Sequence, residues 1–228
     1  MSIIADTAII AAHGAFDKRA GGGYNGGNGL GSVKDMQRLP EGLKEKLCAW
    51  YDAGHRELPW RQDREPYHVW LSEIMLQQTR VEAVKGYYAR FLTELPTIAA
   101  LADCPPDRLT KLWEGLGYYS RVRNLQKAAK IIMEESGGVF PKTYDAVRAL
   151  PGIGDYTAGA ICSICFDSPT PAVDGNVLRV LSRVTEDGAS ITAQKTKNAC
   201  REALVPVYEN GPRGTLTQAL MELGAMVC

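Results

Sequence analysis

The sequence predicts an all-α protein, and three observations lead to that fold class. Apolar residues recur at helical spacing from Leu39 onward. No stretch alternates apolar and polar residues as a half-buried strand would. No segment repeats at a fixed period along the chain. The 228 residues are enough for one sizeable core or two small ones.

Residues 1–37 form a predicted disordered or low-complexity leader, because this segment has no sustained apolar period. Its stretch from Gly21 to Ser32 is rich in glycine and asparagine and offers almost nothing to bury. The apolar run from Ala8 to Ala12 has no basic region before it, so it does not resemble a signal peptide. No segment is long and apolar enough to span a bilayer, and we expect no membrane partner.

Five longer helices are predicted after Leu39, each from an apolar stripe. Their stripes are Leu43, Leu47, Trp50 and Tyr51, with a stop at Gly54; Val69, Trp70, Ile74 and Met75; Val81, Val84, Tyr88 and Leu92; Leu109, Leu112, Trp113 and Leu116, opened by Pro105-Pro106-Asp107; and Val122, Leu125, Ala129 and Ile132, ending near Gly137-Gly138.

Five further helices complete the predicted order. They cover Tyr144–Leu150, Tyr156–Phe166, a segment after Asp174 that carries Val177, Val180 and Leu181, then Lys195–Tyr208 and Leu216–Ala225.

The charge balance and the cysteine content limit the functional classes. The chain has 26 basic and 26 acidic residues, so a nucleic-acid contact would have to come from local patches. Two basic runs, Arg56 to Arg64 and Arg121 to Lys130, could supply them or could be solvated faces. Six cysteines without a secretory signal favour a reducing compartment over a disulfide framework.

The segment Leu150 to Ala160 joins two of the predicted helices through a glycine turn. Gly152 and Gly154 allow backbone angles that a side chain would forbid. A turn of this kind before a helix directs N–H groups at one point, which suits a phosphate. An ordinary tight turn between two helices would have the same sequence.

Glu73 is a candidate general acid. It shares a helix face with Trp70 and Gln77, and a carboxyl held against an aromatic ring away from water has its pKa raised. Such a group can hold a proton near neutral pH. The alternative is a solvent-facing glutamate on an amphipathic helix.

Asp174 precedes Gly175-Asn176 and suits a helix N-cap. A capping carboxylate accepts N–H bonds, and we expect it to stay ionised. A fixed anion of this kind can stabilise a positive charge that develops near it.

Several motifs together resemble one family. LPGIGDYTAGA (Leu150 to Ala160) resembles the helix-hairpin-helix signature of the endonuclease III superfamily of DNA glycosylases, and VDGNV (Val173 to Val177) resembles its aspartate motif. Three upstream motifs resemble the adenine DNA glycosylase branch, the MutY type: LPWR from Leu58, WLSEIMLQQT from Trp70 and GLGYYSR from Gly115. The motifs run in order from about Leu43 to Cys228.

The resemblance implies an architecture of two helical lobes with a DNA groove between them. Residues 66–168 would form a six-helix barrel lobe that carries the helix-hairpin-helix. Residues 38–65 and 169–228 would form the second lobe.

The resemblance also implies roles for individual residues. Glu73 would be the catalytic acid and Asp174 the stabilising anion, with Tyr156 and Asn176 beside them. Gln78, Tyr118, Gln218 and Trp70 would intercalate or line the base pocket, although Tyr118 could equally be a core aromatic. Gly152, Ile153, Gly154 and Thr157 would contact a phosphate, and the hairpin carbonyls could hold a monovalent cation.

Tyr156 departs from the bifunctional relatives, in which this position is a lysine that forms a Schiff base with the sugar. The amine is absent here, so the resemblance implies base removal by water without strand cleavage. The alternative for Tyr156 is a core tyrosine. Leu178 occupies another position that is a lysine in some relatives.

Cys228 matches the first cysteine of a four-cysteine loop that holds a [4Fe–4S] cluster in the family. The sequence given stops before the other three ligands, so a complete cluster cannot be built from these residues. Cys162-x-x-Cys165 has metal-like spacing but lies in a predicted helix of small residues, and we assign that pair to the core.

The expected function is excision of adenine mispaired with 8-oxoguanine or guanine in double-stranded DNA, by a monomer. The expected location is cytoplasmic in a bacterium, or nuclear or mitochondrial in a eukaryote. Three alternatives stay open: the same fold acting on an oxidised pyrimidine or a mismatched thymine, a non-catalytic DNA-binding helical module, and a helical domain without a DNA role.

Overall fold

The computed structural model describes residues 39–228, and within that range the protein is helical, with no β-strand. The predicted leader, residues 1–37, lies outside the described residues. No helix within residues 39–228 is long and apolar enough to cross a membrane. The α-helices are α1 (Leu43–Gly54), α2 (Pro66–Leu76), α3 (Val81–Glu94), α4 (Ile98–Asp103), α5 (Pro106–Trp113), α6 (Ser120–Ser136), α7 (Tyr144–Ala149), α8 (Asp155–Phe166), α9 (Gly175–Val184), α10 (Gln194–Tyr208) and α11 (Arg213–Met226), with a 3-10 helix at Pro59–Arg61.

Helix ends follow local sequence signals. The side chain of Thr97 accepts a hydrogen bond from the N–H of Ala100 and so caps α4, and Thr143 caps α7 in the same way. Helix α6 is terminated by the residue that follows it, Gly137, which has φ 61° and therefore occupies the left-handed region that favours glycine. These signals explain why the predicted helix bounds agree with the structure to within a few residues.

Helix α4 and the 3-10 helix were not predicted from the sequence. Helix α4 has six residues, fewer than two turns, so its buried side chains Ile98 and Leu101 do not repeat often enough to show a period. Its start is instead marked by Thr97, a capping residue that a search for apolar stripes passes over.

The chain divides into two compact units. Among the described residues, one comprises residues 39–55 and 173–228, and the other comprises 56–172. The sequence placed these boundaries at 65/66 and 168/169 instead. Residues near 60 belong to the second unit because Trp60 is buried edge-on against Tyr88 in α3, with ring centroids 5.5 Å apart. Residues 171 and 172 belong there because Pro171 contacts Gly159 of α8.

The unit of residues 56–172 contains α2 to α8 and the 3-10 helix. Its core contains large side chains that are almost fully buried: Trp70, Leu71, Met75, Phe91, Leu101, Trp113, Leu125, Ile132 and Ile161. Helix α2 is buried on nearly every side, since eight of its eleven residues are buried. A helix that is apolar on all sides is typical of a core position, and this one places Glu73 inside the unit.

The unit of residues 39–55 and 173–228 contains α1, α9, α10 and α11. Its core is one cluster of buried side chains: Leu43, Leu47, Cys48, Tyr51, Val177, Leu178, Val180, Leu181, Ala199, Cys200, Leu204, Tyr208, Leu216, Ala219, Leu220 and Leu223. Helix α9 contributes four of these residues, directly after Asp174. The core therefore fixes the position of the aspartate that caps α9.

Gly224 makes the contact between α9 and α11 possible. A Cβ atom at this position would lie 2.6 Å from the main-chain oxygen and from Cβ of Asn176. We therefore expect Gly224→Ala to destabilise the chain by about 1–3 kcal/mol, as overpacked sites do. Urea unfolding measures this loss.

Gly86→Ala is the matched control for this prediction. Gly86 lies inside α3, and a Cβ there would meet nothing within 4 Å. This control should stabilise the chain by about 0.5–1 kcal/mol, because alanine favours helix interiors over glycine. Equal effects of the two substitutions would contradict the steric argument.

Candidate active site

The glycine turn lies between α7 and α8, as a helix-hairpin-helix requires. Gly152 has φ +80°, and a Cβ atom there would lie 2.8 Å from Cβ of Asn124. Both the backbone angle and the space therefore demand glycine at this position. Gly154 precedes the first residue of α8 and is exposed.

Arg148 braces the hairpin. Its Nε donates to Oδ1 of Asp155 over 2.6 Å, and its Nη1 donates to the carbonyl of Ile153 over 3.0 Å. The side chains of Ile153 and Thr157 are buried, at 3% and 2% exposure. A phosphate contact from these two predicted residues would therefore have to come from their main chain, at the start of α8.

Glu73 is buried, with 8% of its surface exposed. The alternative of a solvent-facing glutamate is therefore wrong, because α2 has no broad exposed face. Trp70, one turn earlier, is completely buried and packs edge-on against Phe140, with ring centroids 5.4 Å apart. Nε1 of Trp70 is buried without a hydrogen-bond partner among the described residues. The carboxyl group of Glu73 thus belongs to an aromatic, largely apolar helix.

Asp174 caps α9, as the sequence predicts. Its Oδ1 accepts from the N–H of Val177 over 2.8 Å, and its Oδ2 accepts from Nδ2 of Asn176 over 2.8 Å. Nη2 of Arg179 donates in turn to Oδ1 of Asn176 over 2.7 Å and to the carbonyl of Gly224 over 2.8 Å. A directional chain of donors therefore runs from Arg179 through Asn176 to the carboxylate.

The pKa of Asp174 is raised above the usual range of an aspartate, and burial is the main cause. The hydrogen bonds from Val177 and Asn176 and the charge of Arg179 act in the opposite direction and lower the pKa by less. The sequence predicted only the effect of the hydrogen bonds. Burial of a charged group costs free energy that the capping position alone does not reveal.

Gln218 lies on α11 and is half-buried. Its Oε1 accepts a hydrogen bond from the hydroxyl of Tyr51, in α1, over 2.8 Å. This bond fixes the amide of Gln218 within the same unit as Asp174 and Asn176. The structure thus places three predicted polar residues in one unit, and it places Glu73 in the other.

Tyr118 and Gln78 are both exposed, and both have a left-handed backbone, with φ 47° and 57°. Tyr118 exposes 63% of its surface, so the alternative of a core aromatic is wrong. Non-glycine residues adopt positive φ at a cost, and such residues concentrate at functional sites. Two exposed side chains held in this way suit insertion into a base stack.

Arg121 is not part of an exposed basic face, contrary to one interpretation of the sequence. It is 9% exposed, and its guanidinium donates to main-chain carbonyls of its own unit. Arg123, Lys127 and Lys130, on the same helix, are exposed. A run of basic residues in a sequence does not show which of them are buried, because successive residues of a helix point in different directions.

Tyr156 lies in the first turn of α8 and is half-buried. It is therefore neither a core tyrosine nor a fully exposed one. A lysine at this position would be the amine nucleophile of a lyase, and a phenol cannot form a Schiff base.

The cysteines separate into core thiols and Cys228. Cys162 is fully buried, and burial raises the pKa of its thiol to about 11, so this cysteine belongs to the core as predicted. Cys165 is only partly exposed to solvent, and burial raises the pKa of its thiol as well. Cys228 is half-buried beside the core of its unit. Residues 39–228 contain no group of three or more metal-ligating side chains, and they do not fit a complete iron–sulfur cluster.

Residues 71–206 match the family model of the HhH-GPD superfamily, described as base excision DNA repair proteins. The chain is similar to the adenine DNA glycosylases of Rattus norvegicus (45% identity, 82% of this chain, 38% of the relative) and Homo sapiens (44%, 82% and 36%). It is also similar to that of Buchnera aphidicola subsp. Baizongia pistaciae (41%, 81% and 52%). The chain thus spans between about a third and a half of the length of these curated relatives.

Two solved structures share the fold. One is a thermostable thymine-DNA glycosylase, with a TM-score of 0.71, 24% identity, and coverage of 85% of this chain and 87% of the other. The other is endonuclease III in a non-covalent DNA complex, with a TM-score of 0.67, 19% identity and 86% coverage of both chains. At these identities the likeness concerns the fold alone.

Proposed function

This chain belongs to the HhH-GPD superfamily of base excision DNA repair proteins, and we propose that it is a monofunctional DNA glycosylase that releases adenine mispaired with 8-oxoguanine or guanine. The observation that carries the proposal is the burial of Glu73 on an aromatic helix. A buried carboxyl group next to a water-excluding wall is suited to proton donation. The similarity to adenine DNA glycosylases supports adenine as the departing base.

The first step is extrusion of the adenine, because its glycosidic bond is inaccessible inside a base stack. Unstacking costs a few kcal/mol, and side chains that fill the gap offset this cost. Tyr118 and Gln78 are exposed and have a left-handed backbone, and we assign them to the gap. Exposed basic side chains on α6 supply phosphate contacts, as does the start of α8 after the hairpin.

The second step breaks the bond between the sugar and adenine. Glu73 gives its proton to the departing base, and the electron pair of the glycosidic bond leaves with adenine. The carboxylate of Asp174 stabilises the positive charge that develops on the sugar. Water then adds to the sugar carbon and returns its proton to Glu73, which restores the initial state.

The proposed mechanism includes no attack on the sugar by an amine of the protein. With Tyr156 in place of a lysine, and Leu178 at the second position, no amine in these motifs attacks the sugar. The product is an abasic site in an intact strand. An oxidised-pyrimidine glycosylase with lyase activity is therefore the less favoured alternative.

Two further groups remain proposals. We assign Cys228 as the first thiolate ligand of a [4Fe–4S] cluster, and no step of the mechanism depends on that cluster. A monovalent cation at the hairpin would be held by main-chain carbonyls, of which that of Ile153 already accepts one hydrogen bond from Arg148. We expect the protein to act as a monomer on double-stranded DNA.

Single-turnover base release tests the proposal. The substrate is a duplex with one adenine opposite 8-oxoguanine, and strand cleavage is read before and after alkali. We expect cleavage only after alkali. Cleavage without alkali would contradict the argument from Tyr156, and binding without release would favour the non-catalytic DNA-binding module.

A further inference from the structure

Arg121 is a buried cation that joins two loops. Its guanidinium reaches the end of α2 through Nη1 and the segment before α6 through Nη2. Nη1 lies 3.0 Å from the carbonyls of Ile74 and Met75 and 2.5 Å from that of Gln77, and Nη2 lies 2.9 Å from the carbonyl of Leu116 and 3.3 Å from that of Gly117.

The contacts at α2 have a clear physical basis. The last carbonyls of a helix have no partner within the helix, and its C-terminus carries partial negative charge. A guanidinium satisfies both needs, because it is a fixed cation with several donors in one plane. The other nitrogen of the guanidinium, Nη2, donates to the carbonyls of Leu116 and Gly117. One rigid group therefore links the end of α2 to the segment before α6.

Each arm anchors the peptide that precedes an intercalating residue. The carbonyl of Gln77 precedes Gln78, and the carbonyl of Gly117 precedes Tyr118. Both of these exposed residues have positive φ, a conformation that persists only where the surroundings determine it. The ring of Tyr118 also lies over the guanidinium, with its centroid 5.6 Å from the Cζ atom of Arg121.

We propose that Arg121 is a positioning residue for base extrusion: it holds Gln78 and Tyr118 at a fixed separation, so that both enter the base stack together. The proposal rests on the proposed function, since it assigns a role within the extrusion step. Because Arg121 is buried, we assign it no direct contact with DNA or with the reacting atoms. Its effect on the reaction passes through the two residues that it anchors.

The neighbouring Gln126 provides a matched control. It lies on the same helix, is also 9% exposed, and donates to main-chain carbonyls at the end of α4. Its Nε2 lies 3.2 Å from the carbonyl of Leu101 and 2.6 Å from that of Cys104. Gln126→Met and Arg121→Met both remove a buried donor from helix-end carbonyls, but only Arg121→Met releases the intercalating residues.

The experiment measures single-turnover adenine release and DNA stacking with the full chain, at protein concentrations that saturate the duplex. Stacking is read from 2-aminopurine placed next to the target adenine, whose fluorescence rises when the stack opens. Arg121→Met should slow release by about 100-fold, the size of effect that a misplacement of about 1 Å produces. It should also suppress the fluorescence rise. Arg121→Lys, which keeps one charge but not the two-armed plane, should be intermediate.

A second substrate separates positioning from general loss of structure. With an abasic analogue opposite adenine, extrusion is less costly, so the defect of Arg121→Met should become smaller. Gln126→Met should release adenine from both duplexes at rates close to those of the unmodified chain. Circular dichroism verifies folding, and Arg121→Lys replaces Arg121→Met if the latter does not fold.

The outcomes distinguish this inference from the proposed function. Equal defects of Arg121→Met and Gln126→Met on both duplexes would overturn the inference while the adenine glycosylase activity stands. If the unmodified chain releases no adenine, the proposed function fails, and the 2-aminopurine fluorescence then tests the positioning role of Arg121 by itself. A rise with the unmodified chain that is lost in Arg121→Met supports the positioning role. The same signal from both proteins, or none from either, overturns it.

Discussion

Replacing Glu73 by glutamine should strongly slow adenine release and leave duplex binding intact. Glutamine has nearly the same size as glutamate, so it fits the buried position on α2 without a cavity. It cannot donate the proton of a carboxylic acid to the departing base. Loss of a positioned general acid costs about 10²–10⁴-fold in rate, and we expect a decrease in this range.

The measurement is single-turnover release at saturating protein, with affinity measured separately by fluorescence anisotropy. Glu135→Gln is the control, because Glu135 is an exposed glutamate on α6 in the same unit. The control should release adenine at the unmodified rate. Full activity of Glu73→Gln would remove this residue from the mechanism and leave the chemistry without a proton donor.

Much of the fold could be predicted from the sequence, because local signals determine it. The apolar stripe that contains Leu43 and Leu47 and the stop at Gly54 predict α1. Capping chemistry predicts Asp174 at the start of α9. These features depend on residues a few positions apart, which periodicity and capping rules describe well.

The rest could not be predicted, because it depends on contacts between distant segments. Arg121 is buried because its guanidinium binds two sets of main-chain carbonyls. One set, around Met75, is more than forty residues earlier in the sequence than Arg121. The raised pKa of Asp174 follows from its environment and not from its capping position. The boundary near residue 56 depends on the packing of Trp60 against Tyr88. Sequence patterns contain no direct record of such contacts.

The second large effect is expected for Asp174→Asn. Asparagine is about as good a helix cap as aspartate. The Oδ1 atom of an asparagine at this position can therefore still accept a hydrogen bond from the N–H of Val177. The substitution removes the negative charge that, in the proposed mechanism, stabilises the developing sugar cation. We expect adenine release to fall by about 10²–10³-fold, the range seen when one preorganised electrostatic group is removed.

Asp187→Asn is a matched control for this substitution. Asp187 lies in the same unit, and its Oδ1 also accepts a main-chain hydrogen bond, from the N–H of Ala189 over 2.8 Å. It belongs to none of the motifs assigned to the reaction. Its replacement should leave release unchanged, whereas an equal loss in both variants would point to a general effect on the fold.

The Asp174→Asn variant also tests how ionisation of Asp174 changes the free energy of unfolding. The folded-state pKa of Asp174 is raised, so its contribution to stability is fully present below the unfolded pKa and is lost as pH rises through the folded pKa. Asparagine has no such dependence. The stability of Asp174→Asn relative to the unmodified chain should therefore increase from pH 3 to pH 7, as measured by urea unfolding.

Activity should show the opposite dependence on pH. In the proposed mechanism adenine release requires the ionised carboxylate of Asp174, so the rate of release should fall as pH drops through the raised pKa of Asp174. The hydrogen-bond chain from Arg179 through Asn176 opposes this protonation, because each donor in it favours the anion. These donors thus act against the effect of burial on the pKa of Asp174, without reversing the net rise. The proposed reaction needs the ionised carboxylate, and ionisation of this group lowers the stability of the folded chain. If Asp174→Asn gains stability at neutral pH and still releases adenine at the unmodified rate, this account is refuted.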